Sequence, residues 1–339
     1  MLDSFHPVLL DQELSIPSDL RFSSTRIGIE NIPVYSGWLA RKFHGSMEYL
    51  TRDDRIRKII DPSLLMRDAK SIVVFVMNYR KSKPAREGYG RIASYAGFAD
   101  YHDFYPDIID SFVTNNGLFK DHYRTYVDTG PLSERGLSIR SSLGWIGKNS
   151  MLINPSLGSF TFIGAAVTDI PLDSPSSPPP DLCGRCTRCI DSCPTGAIKQ
   201  DRTIDSRLCI SFQTIENRGI IPKRVADRME DMVFGCDICN EVCPWNREKK
   251  ESTIPEVRKD LFSNRMKLED IAFIDRATFD QAYRGSAIKR ATYEGFARNA
   301  LVALHNANRE DLVREASKQF TDLRRDQAHI LFNEKDREL

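Results

Sequence analysis

The stretch LCGRCTRCIDSCPTGAI, Leu182 to Ile198, spaces four cysteines as C-x2-C-x2-C-x3-C and follows the last with Pro194. Bacterial ferredoxins use this run to hold iron–sulfur cubes: three thiolates bind one four-iron cluster and the fourth reaches across to a second. Downstream, Cys236, Cys239 and Cys243, followed by Pro244, repeat the run without its first member. Cys209, 27 residues before Cys236, is available to supply it. The crossover rule groups Cys183, Cys186, Cys189 and Cys243 around cluster one, and Cys193, Cys209, Cys236 and Cys239 around cluster two. All eight cysteines of the chain are then used. Zinc is the competing reading, but it favours two C-x2-C pairs on a long spacer over tight triplets ending in Cys-Pro.

The rest of the composition bounds the setting. At 339 residues the chain exceeds one minimal core, and two or three domains are expected. Hydrophobic residues at 41% and charged residues at 28% are ordinary for a soluble protein. The longest mostly apolar run, SIVVFVMNY (Ser71 to Tyr79), is too short to cross a bilayer. The first 20 residues show neither a basic start nor an apolar core of a secretory signal, so a cytoplasmic location is expected, with no membrane. In that reducing compartment cysteines serve metals or catalysis rather than disulfides. A net charge of +1 gives no general support for nucleic-acid binding, and such a surface must be local.

The clearest break in composition is PLDSPSSPPPDL (Pro171 to Leu182), whose five prolines read as an extended linker. Before it lies a mixed region at 1–170. SIVVFVMNY and FTFIGAAVT (Phe160 to Thr168) read as buried strands, and Val34 to Ile60 and Asp100 to Asn115 carry helical spacing. The cysteine-bearing region spans 183–255. From 256 to 339 the pattern is helical: Ala287 to Phe320 reads as two amphipathic helices joined near Asn306 to Asn308, one helical-repeat-like unit without a second copy. The final HILFNEKDREL reads as a short helix with a frayed end.

Upstream of the linker, GWIGKN has the look of a phosphate loop. The position five before Gly147 holds Ser142, however, and Asn149 follows Lys148, so a nucleoside triphosphate site is rejected. No strand is followed by G-x-G-x-x-G, which leaves a dinucleotide site unsupported. Asp128, in Asp-Thr-Gly-Pro, reads as helix-start chemistry or as a catalytic carboxyl. His102, in DYHDF, reads as a hydrogen-bonded, partly buried histidine or as a site residue.

The string VDTGPLSERGLSIRSSLGWIGKNSMLINPSLGSF (Val127 to Phe160), followed by the Pro-rich gap and CGRCTRCIDSCPTGAI, resembles the epoxyqueuosine reductase family. So do HGSMEYL, DPSLLMRDAKSIVVFVMNY, RIASYAGFADYHDF, LCISFQTIENRG, CDICNEVCPWN and IKRATYEGFARNALVAL, in order over roughly residues 20 to 310. The resemblance implies an α+β protein: an N-terminal α/β, nitroreductase-like corrinoid-binding domain, a ferredoxin-like domain with two [4Fe-4S] clusters, and a short HEAT-like helical part. It implies reduction of epoxyqueuosine to queuosine at the tRNA wobble position. It further implies cobalamin (B12) as the centre of chemistry, with the clusters passing it electrons singly from an external low-potential donor of ferredoxin or flavodoxin type.

By the same resemblance Asp128 is the proton donor, held against the corrin where desolvation raises its pKa, with His102 and Tyr95 supporting it. Cobalamin contacts carried over are Arg57, Tyr95, Asp128, Arg140, Lys148, Asn149, Ser159, Ser211 and Thr214. The anticodon stem-loop is expected on Arg284, Lys289, Arg290 and Arg298, whose alternative is an ordinary solvated helix face. The chain is expected to act as a monomer. It departs from longer relatives in stopping after one helical unit, and it lacks the D-x-H-x-x-G motif that supplies a cobalt ligand in some B12 proteins. A corrinoid reductase of the reductive dehalogenase kind and a plain ferredoxin-type electron carrier are the alternatives.

Overall fold

A computed structural model describes residues 18–81, 86–175, 177–319 and 322–333. Most of the first 20 residues, and the last six residues of the stretch HILFNEKDREL read as a short helix with a frayed end, lie outside them. The described strands are β1 (Leu20–Arg26), β2 (Ser71–Asn78), β3 (Arg91–Ile92), β4 (Tyr123–Val127), β5 (Trp145–Ile146), β6 (Leu152–Ile153), β7 (Thr161–Thr168) and β8 (Met232–Phe234). The upstream helices are α1 (Pro33–Ala40), α2 (Asp53–Ile60), α3 (Tyr101–Asn115) and α4 (Glu134–Arg140).

Every residue of β2 is buried, which explains why its sequence shows no alternation: both faces of the sheet are covered. The sheet runs β1-β2-β7-β4, antiparallel throughout, with Phe75 opposite Gly164 and Tyr126 opposite Ala165. On one face Val73, Phe75 and Met77 pack with Tyr105, Ile109 and Val113 of α3. On the other, Ile72, Val74 and Val76 pack with Leu132, Leu137, Leu143 and Leu152. Each of these side chains stabilises the fold by about 1.5–3 kcal/mol on burial. Gly164 is where α3 presses closest, since a Cβ there would stand 2.5 Å from the tip of Ile109.

The Pro-rich segment is extended, as its composition requires, yet it does not hang free. Leu172 N–H donates to Ser71 Oγ, Ser24 Oγ donates to the Asp173 carbonyl, and Arg26 N–H donates to Ser174 Oγ. The strap thus lies along the edge strand β1 and occupies polar groups that an edge otherwise leaves open.

Beyond it, the helices Thr292–Asn306 and Glu310–Gln319 meet at Asn308, whose φ of 58° makes the turn. These helices share one hydrophobic core with the cysteine region: Ile210, Ile215, Val225 and Phe234 pack with Phe296, Leu301 and Val313. The core runs across the sequence break near residue 255. No described helix is long and apolar enough to cross a membrane.

Candidate active site

Asp128 ends β4 and is the point of greatest local strain on the site. Its φ is +56°, and the Thr129 N–H donates to the Val127 carbonyl at 2.5 Å, closing a three-residue turn around it. A γ-turn with positive φ at a residue bearing a side chain is rare and costly. Asp128 caps no helix: α4 begins six residues later after Ser133. Its carboxylate points across the site instead, with Oδ2 3.3 Å from His102 Nε2.

The imidazole is fixed from the other side by a residue the sequence reading passed over. Asp100 is the N-cap of α3, and its Oδ1 accepts both the His102 N–H at 3.1 Å and His102 Nδ1 at 2.7 Å. One cap therefore starts the helix and aims the ring. Hydrogen bonds to Asp100 and then Asp128 push the His102 pKa up to about 9, against burial, so at neutral pH the ring is an imidazolium donating to two carboxylates. The same bond holds the Asp128 carboxyl below the usual carboxylate range and outweighs desolvation. In the protein alone the Asp128 side chain is 62% exposed and faces a cation, so the proton of the pair rests on His102; the raised pKa expected for Asp128 is tied to burial against a corrin.

Around the pair stands an aromatic floor. Tyr101 stacks on His102 with centroids 4.1 Å apart and on Phe162 at 4.1 Å, and Tyr95 meets Tyr79, Tyr101, Phe162 and Phe234 edge-on. On the rim, Arg290 pairs with Glu216 at 2.8 Å and lies over the Tyr49 ring. Arg55 donates to the Gly130 carbonyl at 3.2 Å while its Nε is buried without a partner. A recess beside it is lined by Tyr49, Arg52, Asp54, Arg55, Lys58 and Pro131.

Several expected contacts lie elsewhere. Arg57 is exposed on α2, and Arg55, two residues earlier and so on another side of the helix, is the one that turns to the site. Arg140 is spent on Glu30, Thr25 and the Arg26 carbonyl. GWIGKN forms the β5–β6 hairpin, whose loop serves the cysteines: Lys148 Nζ donates to the carbonyls of Gly184 (2.9 Å) and Cys186 (2.8 Å). Asn149 and Ser159 are buried against Asn240, and Thr214 is buried with its hydroxyl on the Ile210 carbonyl and the Gly235 N–H. Of the carried-over set, Tyr95 and Asp128 line the site and Ser211 is half-buried.

Among the basic residues, Arg284 is exposed with no ionic partner among the described residues, and Lys289 is exposed beside Asp280. Arg298 is not on the surface at all. It is fully buried, donating to the carbonyls of Gln213 (2.7 Å), Asn217 (2.9 Å) and Gly219. A helix-wheel face that carries a guanidinium inward was legible only from these acceptors.

None of the eight cysteines is in a disulfide. Burial raises the thiol of Cys189, whose charged neighbours are Cys183, Cys243 and Cys186. Burial also pushes Cys236 up to about 12, with Cys209 and Cys193 beside it. No three described His, Cys, Asp or Glu side chains converge as a single-ion site. Residues 184, 185, 187 and 188, between the first cysteines, are exposed, whereas Gly235 and Asn240 of the second loop are buried. Phe234, two residues before Cys236, meets Tyr95 edge-on with centroids 6.1 Å apart, so the second loop adjoins the aromatic cluster.

Known proteins match this arrangement. Residues 182–246 fit the family described as 4Fe-4S double cluster binding domain, and residues 60–129 fit the one described as Epoxyqueuosine reductase QueG, DUF1730. An epoxyqueuosine reductase of Cyclobacterium marinum is 40% identical over 278 residues, 80% of this chain and 87% of the relative. The chain belongs to the epoxyqueuosine reductase family. The Escherichia coli epoxyqueuosine reductase is 33% identical over 294 residues, covering 84% of this chain and 76% of that one. A crystal structure of a selenomethionine-labelled epoxyqueuosine reductase superposes with a TM-score of 0.79 over 92% of this chain and 84% of its own, at 27% identity. Another, with a tRNA-Tyr epoxyqueuosine-modified stem loop, shares the fold at a TM-score of 0.75, 24% identity and 94% coverage of both chains. The α+β architecture and the double-cluster domain are those of an epoxyqueuosine reductase.

Proposed function

We propose that this chain reduces epoxyqueuosine in tRNA to queuosine, in the cytoplasm, and that the Asp128–His102 pair supplies the proton that releases the epoxide oxygen. The observation that carries the second part is the His102 ring clamped by its two nitrogens between Asp100 and Asp128. Opening the epoxide to an alkene breaks both C–O bonds, forms C=C, takes two electrons and two protons, and releases water. The departing oxygen therefore needs an acid within reach. Asp128 faces the cleft and hands on a proton that His102 stores, and the two titrate as a unit.

Cobalamin suits the cleft in kind: an aromatic lining of stacked Tyr101 and Phe162 with Tyr95 edge-on to both, an open carboxylate, and Arg55 Nε lacking a partner. When bound it supplies low-valent cobalt as the source of the electron pair. Tyr95, Asp128 and Arg55 would face it. Cys183, Cys186, Cys189 and Cys243 would hold one cube and Cys193, Cys209, Cys236 and Cys239 the other. The exposed loop of the first set offers the side for an external donor of ferredoxin or flavodoxin type. Arg284, Lys289 and Arg290, with Arg52 and Lys58 across the recess, would meet the anticodon loop phosphates, where contacts position the RNA and respond to salt.

The test is single-turnover reaction of the reconstituted protein with cobalamin, a strong reductant and epoxyqueuosine-containing tRNA, followed by nucleoside analysis. Queuosine is expected from the native chain, and Asp128→Asn is expected to keep both clusters and cobalamin yet lose turnover. Persistence of epoxyqueuosine with cobalamin bound and reduced would overturn the assignment, and full activity in Asp128→Asn would remove Asp128 from the chemistry.

A further inference from the structure

The strained turn at Asp128 is held from outside at its carboxylate by His102, at the Gly130 carbonyl by Arg55, and at its own backbone by α4. The Asp128 backbone N–H donates to Glu134 Oε1 at 2.7 Å, reaching from the first residue of α4 back over the loop. The remaining local bonds, from Thr129 N–H and Oγ1 to the Val127 carbonyl, lie within the turn itself and do not fix where it points. We infer that Glu134 is a positioning residue for this reaction, acting as the acceptor that holds Asp128 in its left-handed conformation and so keeps its carboxylate on His102.

The character of Glu134 fits that task. It is half-buried at the end of a helix whose next residue, Arg135, is anchored by a 2.7 Å bond to the Ser150 carbonyl, so its reach is fixed. Desolvation, helped by the charge of Asp128, pushes its pKa up to about 8. At neutral pH it is a neutral carboxyl that accepts an N–H without setting a second negative charge beside Asp128. An amide oxygen would serve equally well, which separates positioning from proton supply.

The experiment compares Glu134→Gln, Glu134→Ala and Glu134→Asp. Amide hydrogen exchange resolved at Asp128 in the cobalamin-free protein needs no turnover. Exchange at that amide is expected about 10–100-fold faster in Glu134→Ala and in the shorter Glu134→Asp, and unchanged in Glu134→Gln. The kinetic arm rests on the reductase reading: kcat is expected to fall about 30-fold in Glu134→Ala with KM within about twofold, and Glu134→Gln to restore it. Unchanged exchange in both shortened variants would overturn the inference even if turnover fell. So would a Glu134→Gln variant as slow as Glu134→Ala. Failure of the reductase reading alone would leave the exchange pattern intact.

Discussion

Replacing Asp100 by Asn isolates what the His102 proton does. Asn caps helices as well as Asp, and its Oδ1 still accepts the His102 N–H, so α3 is retained. The charge beside Nδ1 is lost, however, and that bond is the largest cause of the rise from 6.5 to about 9. If the two carboxylates share the rise about equally, the variant titrates near roughly 7.8. At pH 8.5 the imidazolium fraction then falls from about 0.76 to about 0.17, whereas at pH 6.5 both proteins stay above about 0.95 protonated. Deoxygenation should therefore run about fivefold slower in the variant at pH 8.5 and near parity at pH 6.5. The native rate should decline as pH rises through about 9, because a raised histidine pKa keeps its proton below that value and loses it above. Single-turnover rates across pH give the answer, with histidine 15N NMR of the cobalamin-free protein as an independent titration. A rate ratio equal at both pH values, or an unmoved NMR midpoint, would refute the reasoning.

Arg298→Ala leaves the carbonyls of Gln213, Asn217 and Gly219 without their donor and opens a cavity, so a loss of about 3–5 kcal/mol is expected in urea unfolding. Arg284→Ala should leave stability within about 0.5 kcal/mol and instead weaken tRNA binding with a shallower salt dependence, measured by titration at several salt concentrations. Lys148→Met removes a cation from the carbonyls of Gly184 and Cys186, and the midpoint of the nearer cluster should become more negative by on the order of 50–100 mV in an EPR redox titration.

The strands SIVVFVMN and TFIGAAVT, the helix after Asp100 and the helix pair turning at Asn308 were all readable, because each has a period or a run that local physics recognises. The cysteine spacing was readable for the same reason, being a local ruler for ligand placement. The wall of the active site was not. Whether Arg55 or Arg57 turns inward depends on how α2 sits against the Asp128 loop, and no residue near either announces it. Lys148 and Asn149 stand in a motif that suggests a ligand, and only the packing of the β5–β6 hairpin against residues 184–186 and 240 shows that they serve the protein itself. Asp100 could have been found: a capping carboxylate two residues before a histidine at a helix start is in position to orient that ring.

Arg298 and its neighbour Asn299 tie together the segments that lead away from Cys209 and into Cys236, through Gln213, Thr214 and Val233. Cys236 itself packs on the core built by the C-terminal helices. Because metal binding to cysteine loops is also folding free energy, a cube held by these loops would firm up the helices behind Arg284, Lys289 and Arg290 as well. Exposure to oxygen would then be a double injury: corrosion of the wiring would slacken the surface proposed for the RNA, and a damaged enzyme would release its substrate rather than occupy it.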